Sequence, residues 1–291
     1  MQMQDIQRFF EDSAAGIFSQ SGEASAVSLA LRNAGIVGSV PSHLAWKKTD
    51  TGIVLEVSGS SRVEISRDDD TPLFVHCLPE SSLVLAEKTN VAVASTSLHL
   101  GEDANAKCFF LQSGQSEVSR TLEIVCAARA EAVATLANID ASETECHIAT
   151  RLNGVAAKSK ISIFNALWAR QRCTVRTTQS HPVPGTTSDV LCLNALDGQA
   201  RSSFFGSIII EKDAHRCDAY QKVRNLLLSD EVLAESRPEL EILANDVRCS
   251  HGATSAGINS DELFYFAARG IPSTMATQML VEAFFQAASS S

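Results

Sequence analysis

The chain of 291 residues has no apolar run long enough to cross a bilayer, which takes about 20 residues. The stretch from Met1 to Phe10 carries charge and no apolar core, so it does not read as a secretory signal. Both absences predict a cytoplasmic protein with no membrane association. Basic residues are in deficit: 24 Lys and Arg against 34 Asp and Glu give a formal net charge of −10. Nucleic-acid and anionic-membrane surfaces need clustered Lys and Arg, so no nucleic acid is expected as a partner. Aromatic residues are only 6%, with two Trp, Trp46 and Trp168.

Several catalytic signatures are also missing. There is no Gly-x-x-x-x-Gly-Lys-[Ser/Thr] loop to cradle a nucleotide's phosphates, so any ATP-driven step must arrive through a bound partner. No strand–Gly-x-Gly-x-x-Gly–helix unit offers a dinucleotide site, and no Gly-x-Ser-x-Gly elbow presents a nucleophilic serine. Ser250 beside His251 is not a triad, because adjacency in sequence does not set the required hydrogen bond and third orienting group. The eight cysteines (Cys77, Cys108, Cys126, Cys146, Cys173, Cys192, Cys217 and Cys249) form no Cys-x-x-Cys pair, which argues against a zinc ribbon or thioredoxin motif. In a cytoplasmic chain they are expected to be reduced thiols. Apart from Cys249 they read as small buried apolar residues.

What is present is an ordinary globular composition, 45% hydrophobic and 20% charged. A chain this long buries a core without disulfide or metal staples. Three textures divide it. Residues 1–72 are mixed: Asp5 to Phe18 and Ala24 to Ala34 read as short helices, and Gly52 to Ile65 alternates like a hairpin. Asp68-Asp69-Asp70 reads as a solvated turn rather than a metal site.

Residues 73–248 read as many short strands with no helical period. Turn residues interrupt them at Ser113-Gly114, Asn153-Gly154, Pro184-Gly185, Asp197-Gly198 and Pro238. Cys146, Ile148 and Leu152 share one face, as do Cys173, Val175 and Thr177. Such a series means a sandwich, a barrel or a solenoid, and no exact repeat chooses between them. The even spacing of the cysteines, as if each coil set one small residue in a stacked interior, suits a solenoid.

Residues 249–291 switch to a helical period. Asn259 and Glu262 suit a capped start, and Gly270 before Ile271-Pro272 suits a left-handed stop. The second helix carries Met275, Met279, Leu280, Ala283 and Phe284.

The concentrated cluster of chemistry is Asp246-Val247-Arg248-Cys249-Ser250-His251-Gly252. On an extended backbone Cys249 and His251 project from the same face, where a thiolate and an imidazole suit a soft or borderline metal or sulfide transfer. His215 and Cys217 repeat the pairing upstream. Were the two strands neighbours, the four residues would supply a Cys₂His₂ set.

This cluster carries a resemblance. Asp246 to Ile271, with Asp-Val-Arg-Cys-Ser-His-Gly-Ala-Thr, then Leu263-Phe264-Tyr265 and Arg269-Gly270-Ile271, resembles the C-terminal signature of the SufB/SufD family of iron–sulfur cluster assembly proteins. Ala200 to Gly206, Asp218 to Ser229 and Pro238 to Ile242 add matches. SufB-like members carry Glu-His-Glu-Ala-Thr where this chain has Ser250 to Thr254, and a cysteine where Arg224 stands, so the likeness is to the SufD branch. His215 and Cys217 depart from the family's usual glutamine and threonine. The resemblance implies a mainly β fold, a right-handed parallel β-helix core with an N-terminal mixed segment and C-terminal helices. It implies a non-catalytic scaffold that pairs with a SufB-like paralogue and binds a SufC-like ABC ATPase. A transient iron–sulfur cluster then forms at the interface between paralogues, with no cofactor held by the isolated chain. By motif position His251 lies at that interface beside Cys249.

Strands from about Phe204 to Leu243 are expected to make the paralogue contact, and in isolation the same edge would form a homodimer. The two C-terminal helices, with Phe264, Tyr265, Met275, Met279, Phe284 and Phe285, are the expected dock for the ATPase. Two alternatives stay open. A β-helix carbohydrate-active enzyme would need paired carboxylates and aromatic platforms, and no such pair stands out in the strands. A stand-alone metal-binding solenoid would use His215, Cys217, Cys249 and His251.

Overall fold

The structure is a computed structural model that describes residues 27–32, 35–37, 43–114 and 116–289. The helix expected over Asp5 to Phe18 lies outside these residues. The strands are β1 (Val27–Arg32), β2 (Gly35–Val37), β3 (Leu44–Thr49), β4 (Gly52–Val57), β5 (Ser60–Arg67), β6 (Leu73–Cys77) and β7 (Ser82–Thr89). They continue with β8 (Val93–Leu100), β9 (Asn105–Ser113), β10 (Glu117–Cys126), β11 (Glu131–Ile139), β12 (Glu143–Leu152) and β13 (Lys158–Leu167). The last are β14 (Arg172–His181), β15 (Thr187–Leu196), β16 (Arg201–Ile210), β17 (Cys217–Leu227), β18 (Leu233–Ile242) and β19 (Val247–Gly257). Two helices follow, α1 (Ser260–Ala267) and α2 (Ser273–Ser289).

From β4 onward successive strands alternate between two sheets, and each pairs in parallel with the strand two places on. One sheet runs β19-β17-β15-β13-β11-β9-β7-β5-β1-β2, the other β18-β16-β14-β12-β10-β8-β6-β4-β3. This is a parallel β-solenoid, one of the three architectures the strand series allowed and the one the resemblance implied. Strict alternation builds it. In β12, Thr144, Cys146, Ile148, Thr150 and Leu152 face inward, while Glu143, Glu145 and Arg151 face water.

Three expectations need correction. Gly52 to Ile65 is not a hairpin, because β4 and β5 enter different sheets. The hairpin is β3–β4, with Leu44 opposite Val57. Period-two patterning is the same in a hairpin and in a solenoid, so it does not name the partner strand. The described part of Ala24 to Ala34 is the strand β1, not a helix. Pro238 is not a turn: it lies within β18, opposite Gly206, on an edge strand that tolerates its missing N–H. The parallel stack already includes β4 and β5, and β19 runs to Gly257. β11 is weakly marked in sequence, because its inward side chains include Ala132 and Ala134 instead of the β-branched residues that announce a strand.

The corners repeat in the backbone, not in residue type. One corner of successive coils is turned by a left-handed residue: Glu80, Asp103, Arg129, Ala156, Gly185 and Arg216, with φ of 62, 58, 56, 61, 73 and 58°. Only one of these is glycine, the residue that adopts this conformation without steric cost, so composition hides the period.

The interior holds one long apolar core with three polar devices in it. Asn138, Asn165, Asn194 and Asn225 stack into a ladder in which each amide donates to the next at 2.7 Å, and Asn225 ends it by donating to Ser255 at 3.0 Å. Buried Glu87 accepts from Arg67 at 3.2 Å, Arg120 at 2.7 Å and Thr96 at 2.9 Å. Burial alone would raise the Glu87 carboxyl, but the two guanidiniums outweigh it and hold its pKa below the usual range. The third device is buried His181, whose Nδ1 lies 2.7 Å from Thr186 Oγ1 and whose Nε2 lies 2.7 Å from Ser188 Oγ.

Asn259 caps α1 by accepting from Asp261 N at 3.0 Å, and Gly270 ends the turn at φ 75°. Helix α2 folds back on the outer face of the larger sheet. Val281 and Phe285 are buried there against Phe109, Leu111, Phe164 and Leu193, and Phe285 meets Phe164 edge-on at 5.7 Å.

Candidate functional site

The solenoid ends in an open coil. β18 and β19 each have a neighbour on one side only. The inner row of β19 stacks on that of β17: Val247 on Cys217, Cys249 on Ala219, His251 on Gln221 and Ser255 on Asn225. With no further coil above among the described residues, side chains that earlier coils bury stand open here. His251 is exposed and Cys249 is half-buried, two places apart on one row as expected. The opposite wall is apolar, with Leu240 and Ile242 exposed on β18. Pro238 lies on that edge strand opposite Gly206, where a missing N–H donor blunts unwanted pairing. A Cβ added at Gly252 would meet nothing within 4 Å, so the backbone beside His251 is open to approach.

The upstream pair is placed otherwise. β17 and β19 are neighbours, but Cys217 is fully buried, its Sγ 3.2 Å from Thr186 Oγ1, while His215 is exposed in the preceding turn. The pair therefore splits between interior and surface. Among the described residues no three His, Cys, Asp or Glu side chains converge as a metal site. Burial pushes the Cys249 thiol above its ordinary pKa, with the Ala219 backbone partly opposing. Nothing beside Cys249 gives it the lowered pKa of an activated nucleophile.

Gln221 is the residue that sequence reasoning missed. It lies directly beneath His251 and is buried, yet neither its Nε2 nor its Oε1 has a partner among the described residues. Gly206 leaves it room: a Cβ there would lie 2.1 Å from Gln221 Nε2. A buried amide without partners is costly, so its place under the open row is a feature of the site. The available signal was Gly206 itself, a glycine inside a strand pattern.

The helices divide their apolar residues. Phe285 is buried and Phe284 half-buried, with the Arg224 guanidinium 5.3 Å from the Phe284 ring centroid, so both serve internal packing. Phe264 (74% exposed), Tyr265 (55%), Met275 (55%) and Met279 (44%) remain on the surface. The fold also creates one grouping that the sequence did not display. Glu117 and Glu143 are register neighbours and line an outer groove with Glu145. Glu145 is already engaged by Arg176 at 2.9 Å and lies 3.1 Å from His147, and no aromatic residue lines the groove.

Fold and open end together define a parallel β-solenoid whose last strand presents a thiol and an imidazole. The chain belongs to the family described as SUF system FeS cluster assembly, SufBD core domain, whose pattern matches residues 67–284. The match takes in the stack from the end of β5 to α2. The chain is similar to an iron–sulfur cluster assembly SufBD family protein of Synechocystis, 34% identical over 131 residues, 44% of this chain and 28% of that one. It is also similar to the iron–sulfur cluster assembly protein SufD of Escherichia coli, 33% identical over 135 residues, 46% of this chain and 32% of that one. The matches thus span less than a third of these relatives' lengths. No described helix is long and apolar enough to cross a membrane.

Proposed function

We propose that this chain is a SufD-type scaffold subunit that acts in the cytoplasm, pairs with a SufB-like paralogue and takes its ATP-driven motion from a SufC-like ATPase. The observation that carries this reading is the placement of His251 and Cys249 on the inner row of an uncapped terminal strand. There they face whatever surface closes the solenoid. An imidazole and a thiol are two donors, short of the set that holds an iron–sulfur cluster, so the missing ligands belong to the partner. The cluster is cargo built across the junction and passed on. Ser250 and Gly252, where SufB-like chains carry glutamates, favour the SufD branch. Exposed Phe264, Tyr265, Met275 and Met279 offer the ATPase an apolar anchor next to the site. The subunit itself performs no catalysis in this reading.

The test is reconstitution with the two partners and a sulfide source. Exposed His251 replaced by alanine should leave folding and co-purification of the complex intact while lowering the yield of assembled cluster. Undiminished yield from His251→Ala would remove the basis of the proposal. Failure of the chain to capture either partner would remove the scaffold role as a whole.

A further inference from the structure

The outer surface carries a second charged site, on the corner of the smaller sheet one coil below the open end. Arg172 on β14 and Arg201 on β16 are register partners on adjacent parallel strands, about 4.8 Å apart. Like charges directly opposite one another repel. The turn residue Arg170 joins them, and with Gln199 and Glu231 they line a cavity of about 270 Å³. Among the described residues none of the three guanidiniums is paired with a carboxylate, although Glu143 is the register neighbour of Arg172 on its other side. Three arginines outside any ion pair, with one acid among their cavity neighbours, are notable in a chain whose net charge is −10.

The corner is also preorganised. Gln199 Oε1 accepts from Arg170 Nε at 3.1 Å, and Gln199 Nε2 donates to Glu231 Oε2 at 2.5 Å. The Gln199 amide therefore fixes the Arg170 stem through Nε and leaves the terminal nitrogens of that guanidinium for a ligand. It also occupies Glu231, the one acid of the cavity, on the rim. Three planar forks from two neighbouring coils around a small polar cavity match a tetrahedral oxyanion, whose several oxygens each accept more than one hydrogen bond.

We propose that Arg170, Arg172 and Arg201 form a binding site for a dianionic phosphoryl group, borne either by inorganic phosphate or by the terminal phosphates of a nucleotide. The site is separate from His251 and does not depend on its role. The cavity has no aromatic or apolar lining for a base, so the phosphoryl group supplies the recognition.

The test uses the full chain and an Arg172→Gln, Arg201→Gln double variant, titrated calorimetrically with inorganic phosphate and separately with ATP. Saturable binding of phosphate, weakened about tenfold or more in the double variant, is the expected result. ATP binding no tighter than phosphate identifies the free anion as ligand; tighter ATP binding, also lost in the variant, identifies the nucleotide. Without added anion the variant should melt no lower than the parent, because its removed charges repelled each other and both side chains are exposed. Equal phosphate affinity in parent and variant would overturn the proposal, as would heat that never saturates. Tighter binding of a glutamate-rich peptide than of phosphate would overturn it too, making the corner a protein-docking surface.

Discussion

The buried imidazole of His181 should make this solenoid lose stability at mildly acidic pH, by an amount that follows from its surroundings. Ser188 Oγ accepts from Gln179 Nε2 at 2.6 Å, which leaves its own hydrogen to donate to His181 Nε2. Nδ1 then carries the proton and donates to Thr186 Oγ1. A second proton on the ring would force Ser188 to accept twice and strand its hydrogen. Burial accordingly pushes the His181 pKa from the ordinary 6.5 down to about 4. The folded value is depressed, so the neutral form's contribution is complete above pH 6.5. As pH falls below that, the unfolded chain takes up a proton that the folded chain refuses, and stability declines until about pH 4. The full difference is about 3 kcal/mol, of which about 2 kcal/mol is gone at pH 5. The assay is denaturant unfolding of the parent and His181→Gln at pH 7.5 and pH 5. Other titrating groups, including His76, whose pKa burial and neighbouring His99 also lower, are common to both proteins and cancel in the comparison. The variant should be less stable at pH 7.5 by about 1–3 kcal/mol for its lost hydrogen bonds. At pH 5 the gap should narrow by about 2 kcal/mol. A gap of the same size at both pH values would refute the reasoning, because His181 would then titrate equally in both states.

Further expectations concern the interior and the helices. Glu87→Gln should cost about 3–5 kcal/mol in chemical denaturation, because Arg67 and Arg120 stay buried without their carboxylate; a cost under 1 kcal/mol would mean that the pair is solvated. In the parent the Glu87 contribution, held by a depressed pKa, should vanish only below the unfolded carboxyl range, at lower pH than the His181 loss. Burial pushes the Cys77 and Cys126 thiols up to about 12 and Cys146 to about 11, so a bulky thiol reagent should modify Cys249 first and the interior cysteines only as the chain opens; rapid modification of most of the eight would contradict the buried assignment. Phe285→Ala should destabilise by about 3–5 kcal/mol, whereas Met275→Lys with Met279→Lys should leave the melting temperature nearly unchanged and weaken capture of the ATPase. Retained capture by the double lysine variant would move the dock elsewhere.

The residues alone determined a great deal. Period-two alternation over the middle of the chain fixed which side chains face inward, and Cys146, Ile148 and Leu152 are buried as that pattern requires. Gly270 and Asn259 marked the helix ends, and the Cys249-Ser250-His251 motif marked the site and the family. Phe164-Asn165-Ala166-Leu167 and Leu193-Asn194-Ala195-Leu196 are near-copies in the sequence and sit in register on β13 and β15, with Asn165 and Asn194 in the asparagine ladder.

Tertiary structure decided what depends on partners distant in sequence. Alternation says that a residue faces a core, but not which strand lies beside it, so the pairing of β4 and the membership of β1 came only from the stack. Helical spacing grouped Met279 with Phe284, yet the sheet buries Phe285, half-covers Phe284 and leaves Met275 and Met279 exposed, because a helix with apolar residues on two sides takes its inward face from whatever it lies against. Above all, β19 has the same inward-facing pattern as the strands before it. His251 is exposed because no coil follows to cover it, and only the end of the stack makes an interior position into a site.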